Sequence, residues 1–317
     1  MIVKNKKATF SSTKKNLLSL FDYSEDEIEH VITMAHTLKR NRFSKEYKIL
    51  DGKTGVLIFE KPSLRTHISF ETALFELGGH SIVLSSNMVQ MGKRETVKDV
   101  AKNLERLVHL IVARTYSHQT IVELAMHSSI PVINALSDKF HPCQALAFAQ
   151  TVSERFNGQK RLKVVFIGDG NNVCHSLMIL CAKRGYHFIA ACPEGYEPDR
   201  TIVEACEMIA KKNNISVTVS HNPSECVGDA SVLYTDVWTS MGQENEAEER
   251  KNRFIGFQIN EALLKRAPAD VLVSHCLPAH RDEEITGDVL DSDQSIAFDE
   301  AENRLHVQKA VITYLFS

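Results

Sequence analysis

The stretch from residue 55 to residue 84, GVLIFEKPSLRTHISFETALFELGGHSIVL, decides the fold class of this chain. Residues 55–59 are apolar and of the types that strands favour, and residues 81–84 repeat that pattern. Between them, residues 64–77 have the length and apolar spacing of a helix, which Gly78-Gly79 ends. A strand, a helix and another strand in succession predict α/β architecture with a parallel sheet.

The same alternation continues along the rest of the chain. Further strands are predicted at residues 109–113, 131–133 and 163–167 and near Phe188, Val217, Val232 and Val271. A chain of 317 residues exceeds the roughly 100–200 residues of one domain, so we expect two domains, linked by a helix at residues 142–156. Residues 241–253 are densely charged, which predicts an exposed, mobile loop, and a last helix is predicted at residues 300–315.

The composition is that of a globular protein without nucleic-acid or membrane partners. Hydrophobic residues make up 43% and charged residues 24%, and the net charge of −3 gives no reason to expect a polyanionic partner. No apolar run reaches the roughly 18–20 residues of a membrane helix. The seven cysteines include no CxxC pair, and residues 1–15 are polar and lysine-rich, unlike a signal peptide. We therefore expect a cytoplasmic protein with reduced thiols.

The junction after the first strand is a candidate anion site. Pro62 suits the start of a helix, which places Ser63, Arg65 and Thr66 at the helix N-terminus. Free backbone N–H groups and the helix dipole favour an anion there, while Arg65 adds a cation and the two hydroxyls add donors. The alternative is an ordinary helix cap beside a surface arginine.

A second candidate is the helix start His141-Pro142-Cys143-Gln144. His141 and Gln144 are three residues apart and therefore share one face of the helix. A histidine and an amide aimed together can bind a polar planar group such as a carbamoyl. The alternative is a capped helix start with a buried cysteine.

A third candidate is the strand, glycine turn and helix at residues 166–173. Gly168-x-Gly170 opens a dinucleotide fingerprint, and Glu194 lies near the end of the next strand. Val173 stands where the third glycine would be, which argues against this interpretation. Asn171 and Asn172 suit a small polar ligand or a helix cap instead. A nicotinamide-dependent oxidoreductase stays the alternative class of enzyme.

Two more candidates lie at the carboxyl ends of strands in the second half of the chain, where α/β proteins bind ligands. Asp236, in the stretch DVWTSMG at 236–242, could hold an ammonium group. Cys276, in HCLP at 275–278, could be a nucleophile. The alternatives are a strand end leading into a flexible loop and a buried cysteine that acts as a small apolar residue.

Taken in order, these motifs resemble those of the ornithine carbamoyltransferases, within the aspartate/ornithine carbamoyltransferase family. The series is SxRT (63–66), Arg114, HPCQ (141–144), GDGNN (168–172), DVWTSMG (236–242), HCLP (275–278) and ENR (302–304). The SMG and HCLP elements separate the ornithine enzymes from the aspartate enzymes. The resemblance covers almost the whole chain. It implies transfer of the carbamoyl group of carbamoyl phosphate to the δ-amine of L-ornithine, giving L-citrulline and phosphate in arginine metabolism.

The resemblance also implies a fold and an assembly. Each of two domains would be a mostly parallel sheet flanked by helices, with the active site in the cleft between them. Residues 1–145, joined by the C-terminal helix at about 300–317, would bind carbamoyl phosphate, and residues 146–299 would bind ornithine. Members of the family are trimers whose sites are completed by a neighbouring subunit, so we expect a homotrimer or a multiple of trimers. No cofactor is implied, and the chain has no metal-ligand spacing.

Roles for individual residues follow from the same resemblance. Carbamoyl phosphate would be bound by Ser63, Leu64, Arg65, Thr66, Gln90 (from the neighbouring subunit), Arg114, His141, Gln144, Cys276, Leu277 and Arg304. Ornithine would be bound by Asn172, Asp236, Ser240 and Met241. The catalytic residues would be Arg114, His141, Asp236 and Cys276. The first two, with Thr66, would stabilise charge on the carbonyl oxygen, and the last two would help to deprotonate the δ-amine.

The phosphate turn departs from the family pattern at two positions. Leu64 replaces the usual threonine, which removes one hydroxyl donor and keeps the backbone donor. Relatives specific for acylated ornithine also carry an apolar residue there, so acetylornithine stays an alternative acceptor, as does putrescine. His67 replaces a common arginine, which removes one cationic contact. A non-catalytic binding protein with the same fold is a further alternative.

Overall fold

The computed structural model describes residues 16–89, 91–92, 94–158, 161–239 and 244–317. These residues form two parallel β-sheets, each flanked by helices. The α/β prediction with two mostly parallel sheets is therefore confirmed. No helix among these residues is both long and apolar enough to span a membrane.

The first half of the chain contains a four-stranded sheet in the order β2-β1-β3-β4. Its elements are α1 (Glu25–Arg40), β1 (Thr54–Phe59), α2 (Leu64–Glu76), β2 (His80–Ser85), α3 (Ser86–Val89), α4 (Val97–Leu107), β3 (Leu110–Arg114), α5 (His118–His127), β4 (Val132–Leu136) and α6 (Pro142–Arg155), with 3-10 turns at Leu20–Asp22 and Lys45–Tyr47. Strand β3 is buried on both faces, and this explains its uninterrupted apolar sequence before Arg114. Strand β2 is partly exposed, as an edge strand should be.

The second half contains a five-stranded sheet in the order β7-β6-β5-β8-β9. Its elements are β5 (Lys163–Ile167), α7 (Asn172–Arg184), β6 (His187–Ala191), α8 (Arg200–Lys212), β7 (Val217–Ser220), α9 (Pro223–Cys226), β8 (Val232–Thr235), α10 (Ala247–Arg253), α11 (Glu261–Leu264), β9 (Leu272–His275), α12 (Gly287–Leu290) and α13 (Ala297–Phe316), with a 3-10 turn at Glu244–Glu246. The last helix, α13, packs against α1, α2 and α6 of the first half. The chain therefore returns to the first sheet after completing the second.

Strand order determines where each sheet can bind a ligand. In the first sheet, β1 pairs with β3 although β2 lies between them in sequence, and in the second sheet β5 pairs with β8. Each pair is a point where successive connections leave in opposite directions, and such points open a crevice at the carboxyl ends of the strands. The phosphate turn follows β1, and Arg114 is the last residue of β3. Gly168 follows β5, and Asp236 follows β8. Both groups of predicted site residues therefore lie at switch points.

One local prediction is wrong for the part of the chain that the structure describes. The charged segment 241–253 was expected to be an exposed, mobile loop, but residues 244–253 form a 3-10 turn followed by α10. Arg250 on that helix is only 5% exposed, because Asp169 of the second sheet supplies a counter-charge at 3.1 Å. The predicted domain boundary between residues 145 and 146 lies within α6.

Candidate active site

A cavity of about 740 Å³ lies between the carboxyl edges of the two sheets. It is lined by residues of the phosphate turn, of the ends of β3, β8 and β9, of the start of α7, and of α13. The predicted residues that line it are Ser63, Leu64, Arg65, Thr66, Arg114, His141, Asn172, Asp236, Cys276, Leu277 and Arg304. Residues more than 200 positions apart in the chain thus share one cleft, as the motif order suggested.

The phosphate turn is a capped helix start facing this cavity. Ser63 is the N-cap of α2, and its hydroxyl accepts a hydrogen bond from the Thr66 backbone N–H at 3.3 Å. Leu64 is the first helical residue, and its side chain is 70% exposed. A threonine at this position would have placed a hydroxyl where Leu64 places only carbon atoms. His67, at the second departure from the family pattern, pairs with Glu71 at 3.0 Å along the helix.

Cationic side chains converge on the side of the cavity that the first sheet forms. Arg114 is 6% exposed, and burial, followed by repulsion from Arg304 and Arg65, lowers its pKa to about 10. His141 is buried, and burial together with the same three arginines lowers its pKa well below the usual value. Its imidazole is therefore neutral at physiological pH. Arginine side chains in such mutual repulsion favour an anionic ligand between them.

Several buried nitrogen atoms at this end of the cavity have no hydrogen-bond partner. Within the described part of the chain, the Nε atoms of Arg114 and Arg304 and the Nδ1 atom of His141 are buried and form no hydrogen bond. A buried polar atom without a partner costs about 1–3 kcal/mol, so native proteins rarely keep one without reason. All three atoms belong to residues that line the cavity.

Gln144 lies behind the cavity wall. It is 1% exposed and is not among the cavity-lining residues of the described chain. Its amide oxygen accepts a hydrogen bond from Arg304 Nη1 at 2.7 Å, and Arg304 Nη2 donates to Thr66 Oγ1 at 2.8 Å. Gln144 therefore reaches the cavity through Arg304.

The opposite side of the cavity carries a carboxylate held by three donors. Asp236, which follows β8, is 6% exposed. It accepts from the backbone N–H of Val237 at 2.8 Å, from Asn171 Nδ2 at 2.7 Å and from the thiol of Cys276 at 2.7 Å. This geometry fixes the carboxylate at the switch point of the second sheet, where it can face a cationic group.

Cys276 is a protonated thiol rather than a nucleophilic thiolate. Burial, and then the nearby negative charge of Asp236, raise the pKa of Cys276 well above its usual value. Its S–H donates to Asp236, which further favours the protonated form. The following residue, Leu277, has φ +54°, a left-handed conformation that an L-residue adopts at a cost of about 1–2 kcal/mol.

The backbone of Leu277 is anchored by a buried histidine–glutamate pair. His275 Nδ1 accepts from the Leu277 N–H at 2.8 Å, and His275 Nε2 contacts Glu284 Oε1 at 2.9 Å. Because Nδ1 is the acceptor, Nε2 carries the proton and donates to Glu284. Both ring nitrogens are thereby occupied, and the turn that carries Cys276 and Leu277 is held against β9.

Two groups of described residues place metal-ligand atoms within 4.8 Å of one another: Asp236 with His275 and Cys276, and His280 with Glu283 and Glu284. In the first group, the two ring nitrogens of His275 already serve Leu277 and Glu284. Its ring therefore has no lone pair for a metal while those bonds are made.

Asn172, the first residue of α7, lines the cavity, and its amide donates to the Ser137 carbonyl at 2.5 Å. The preceding Asn171 caps the helix and bonds to Asp236. Gln90, Ser240 and Met241, to which the resemblance gives roles, lie outside the described residues.

The glycine turn after β5 has no room for a dinucleotide at Gly170. A Cβ atom on Gly170 would lie 2.2 Å from the backbone nitrogen of Pro198 and 2.4 Å from the carbonyl carbon of Glu197. The glycine is required because residues 197–198 pack on it, whereas the second glycine of a dinucleotide fingerprint lets a pyrophosphate approach. Glu194 is exposed. The geometry therefore argues against the oxidoreductase alternative.

Sequence reasoning missed several residues around this site. Lys61, Lys251 and Glu283 also line the cavity, and Lys251 pairs with Glu283 at 2.9 Å. The buried Glu300 contacts Gln144 directly. Lys61 directly precedes the phosphate turn in the sequence, and that position was a visible signal for it. The sequence carried no signal for the others, because their partners are distant along the chain.

Fold and site together define a class: a two-domain α/β enzyme that brings an anionic substrate and a cationic substrate together in an interdomain cleft. Family models sharpen this class. Residues 15–154 match the carbamoyl-P binding domain of aspartate/ornithine carbamoyltransferase, and residues 160–315 match the Asp/Orn binding domain. The chain belongs to the aspartate/ornithine carbamoyltransferase family, so the resemblance read from the motifs is confirmed.

Individual relatives agree with this assignment. The chain is 49% identical to the ornithine carbamoyltransferase of Pyrococcus horikoshii over 95% of both chains. It is 47% identical to that of Anoxybacillus flavithermus over 98% of this chain and 99% of the relative. The solved structure of the Pyrococcus furiosus ornithine carbamoyltransferase superposes with a TM-score of 0.92 at 47% identity, covering 96% of this chain and 98% of that one.

Proposed function

We propose that this protein transfers the carbamoyl group of carbamoyl phosphate to the δ-amine of L-ornithine, giving L-citrulline and phosphate. The observation that carries the proposal is the polarity of the cleft. Arg65, Arg114 and Arg304 line one side, with unpartnered buried nitrogen atoms, and Asp236 lies on the other. Carbamoyl phosphate is an anion with several acceptor oxygens, and ornithine carries ammonium groups. Each substrate thus finds opposite charge in its own half of the cleft.

On the donor side, we assign the phosphate group to the helix start at Ser63, Leu64, Arg65 and Thr66, with Arg114 between phosphate and carbonyl. Free backbone N–H groups at a helix N-terminus favour such an anion. His141 faces the carbamoyl end, Arg304 reaches the phosphate turn at Thr66, and Gln144 supports Arg304 from behind. The contact of Gln90 is assigned to the neighbouring subunit, and Cys276 and Leu277 close the carbamoyl end of the site.

On the acceptor side, we assign ornithine to Asn172, Asp236, Ser240 and Met241. Support comes from Asp236, whose carboxylate is buried, pre-oriented by three donors and placed at the carboxyl end of β8. A fixed carboxylate recognises an ammonium group more strongly than a mobile one, because no ordering of the side chain is needed on binding.

The chemistry follows from the protonation states. The neutral δ-amine forms a bond from its nitrogen to the carbamoyl carbon, the carbon–oxygen bond to phosphate breaks, and the nitrogen loses a proton. The arginines offset the charge of the leaving phosphate, and neutral His141 can donate to the carbonyl oxygen as it becomes negative. Because Cys276 is protonated, we assign the removal of the amine proton to Asp236, with the thiol orienting the carboxylate.

We further propose a partition and a setting for the enzyme. Residues 1–145 with the last helix form the carbamoyl-phosphate half, and residues 146–299 form the ornithine half. The protein assembles as a homotrimer or a multiple of trimers in the cytoplasm. The relative from Pyrococcus furiosus is named an anabolic ornithine carbamoyltransferase, which supports a role in arginine biosynthesis here.

A direct acceptor comparison tests the proposal. Purified protein is given carbamoyl phosphate with ornithine, acetylornithine, putrescine or aspartate, and phosphate release and the carbamoylated product are both measured. Ornithine is expected to give the highest kcat/KM. Preference for acetylornithine or putrescine would overturn the acceptor assignment, and turnover of none would overturn the enzyme assignment. A thermal shift with NAD in place of these substrates would favour the oxidoreductase alternative.

A further inference from the structure

Glu300 is a buried carboxylate without a role in the reaction as assigned above. It lies in the first turn of α13 and is fully buried. Its Oε1 accepts from Gln144 Nε2 at 2.6 Å and from the Tyr234 hydroxyl at 2.7 Å, and its Oε2 accepts from Ser274 Oγ at 2.5 Å. Burial raises the pKa of Glu300 to about 7, against the opposing effect of these donors. Burying a carboxylate costs free energy, so the position of Glu300 in the core requires an explanation.

The partners of Glu300 come from both halves of the molecule. Gln144 is on α6 beside the donor-substrate site. Tyr234 is on β8, two residues before Asp236, and Ser274 is on β9, two residues before Cys276. The carboxylate thus links β8 and β9, which carry the acceptor-side residues, to Gln144, whose side chain supports Arg304.

Glu300 and Arg304 together define which way the amide of Gln144 points. Above its pKa of about 7, Glu300 is ionised and only accepts hydrogen bonds, so the NH₂ end of the amide faces it. A guanidinium only donates, so the oxygen end must face Arg304. The observed distances of 2.6 Å and 2.7 Å fit this single orientation. A reversed amide would put donors against Arg304 and an acceptor against Glu300.

Arg304 depends on that orientation for its own position. Its Nη1 is held by the amide oxygen of Gln144, and its Nη2 reaches Thr66 Oγ1 in the phosphate turn. Arg304 is 2% exposed and still lines the cavity. Losing the acceptor on one nitrogen would free the guanidinium to turn away from Thr66.

We propose that Glu300 is a positioning residue for the phosphate-bearing substrate, which acts by locking the amide of Gln144 so that Arg304 stays aimed at the phosphate turn. The inference rests on the proposed function for its substrate. Glu300 itself does not touch the cavity within the described part of the chain.

The first test is Glu300→Gln, which keeps the shape and removes the acceptor-only character. The amide of Gln144 can then reverse, and Arg304 loses its partner. KM for carbamoyl phosphate is expected to rise about tenfold or more, equivalent to about 1.4 kcal/mol, while KM for ornithine changes by less than about twofold. Asp299→Asn is the matched control, because it removes the same charge from the adjacent residue, which pairs with Arg155 at the surface. It should leave both constants unchanged.

A second variant keeps the inference testable where Glu300→Gln fails to fold. In the exchange Gln144→Glu/Glu300→Gln, the carboxylate at position 144 accepts from both Arg304 and the NH₂ group of the new amide. The amide oxygen then accepts from Ser274, and the Tyr234 hydroxyl, which faces the same atom as residue 144, accepts from the NH₂ group. Arg304 is therefore held again, and KM for carbamoyl phosphate should lie within about threefold of the unmodified protein and well below that of Arg304→Ala. A folded exchange variant as impaired as Arg304→Ala would overturn the inference, and so would an unchanged KM in folded Glu300→Gln.

Failure of the proposed function can be told apart from failure of this inference. If the unmodified protein carbamoylates no acceptor, the proposed function fails. Binding of inorganic phosphate, measured by calorimetry, then tests the positioning role by itself. Glu300→Gln is expected to bind phosphate about tenfold more weakly than Asp299→Asn, and equal binding by the two variants would refute it.

Discussion

The replacement Arg250→Ala should leave a buried carboxylate, that of Asp169, without its counter-charge. Arg250 Nη1 donates to Asp169 Oδ2 at 3.1 Å and to the Trp238 carbonyl at 3.0 Å. Its Nε donates to Glu246 at 3.0 Å, and its guanidinium lies 4.9 Å from the centre of the Tyr196 ring. The arginine therefore ties α10 to the turn after β5 and to the end of β8.

The expected loss of stability follows from the groups that remain after the substitution. Asp169 is only 8% exposed, so its carboxylate would lose its counter-charge without gaining water. Removing one partner of a buried ion pair costs about 3–5 kcal/mol. The neighbouring Arg253→Ala is the matched control, since that arginine is exposed on the same helix. Exposed substitutions of this kind stay within about 0.5 kcal/mol.

The pH dependence identifies the mechanism. Burial raises the pKa of Asp169 from 3.8 to about 6, against the attraction of Arg250. A raised folded-state pKa means that stability is greatest below the unfolded-state pKa and falls as pH rises through the folded-state value. Without Arg250 the folded-state pKa rises further. The stability gap between the two proteins should therefore be largest at alkaline pH and shrink as pH falls from the variant's raised pKa towards about 6. Below about 6 it should stay small and constant, because Asp169 is then protonated in both folded proteins.

The assay is urea unfolding followed by the fluorescence of Trp238, the single tryptophan of the chain, at several pH values. Trp238 packs against Phe254, 5.6 Å between ring centres, just beyond α10. A gap that stays constant from acid to alkaline pH would refute the argument from the buried carboxylate. A gap no larger than that of Arg253→Ala would refute the ion pair itself.

Three further changes test the site and the fold. Arg65→Ala should lower kcat/KM for carbamoyl phosphate by about 10²–10³ with an unchanged melting temperature, because one charge-stabilising donor is lost; near-normal steady-state kinetics would contradict this. Asp236→Ala should raise KM for ornithine selectively, and an equal loss for both substrates would count against its assigned partner. Gly170→Ala should cost about 1–3 kcal/mol or more in urea unfolding, since its Cβ would lie 2.2 Å from Pro198, whereas Gly228→Ala, with nothing within 4 Å, should be close to neutral.

Much of the fold could be predicted because its determinants are local. The apolar run at β1, the helix start at Ser63 and the glycines after α2 act within a few residues of one another, and the structure has them where the sequence predicts. The order of the site motifs was likewise visible, and it led to the family that the comparisons confirm.

The charged segment shows where local reasoning failed. Residues 244–253 are rich in charge, which favours solvent, and the acid near Arg250 in sequence that pairs with it, Glu246, is itself exposed. Its partner Asp169 is 81 residues away and lies beside it only because α10 crosses the end of β5. Burial of a charge depends on that partner, so the sequence predicted an exposed loop where the structure has a mostly exposed helix with Arg250 buried.

The sequence by itself determined the α/β alternation, the helix-start anion site and the identity of the groups that could bind donor and acceptor. Only the tertiary structure decided how they act together. It placed Gln144 behind Arg304 and filled the space beside Gly170 with residues 197–198. It also surrounded the carboxylate of Glu300 with three hydrogen-bond donors from other helices and strands. The physical reason is that capping and periodicity act over a few residues, whereas hydrogen-bond direction and charge pairing in a core depend on groups that the fold brings from 26 to 160 positions away.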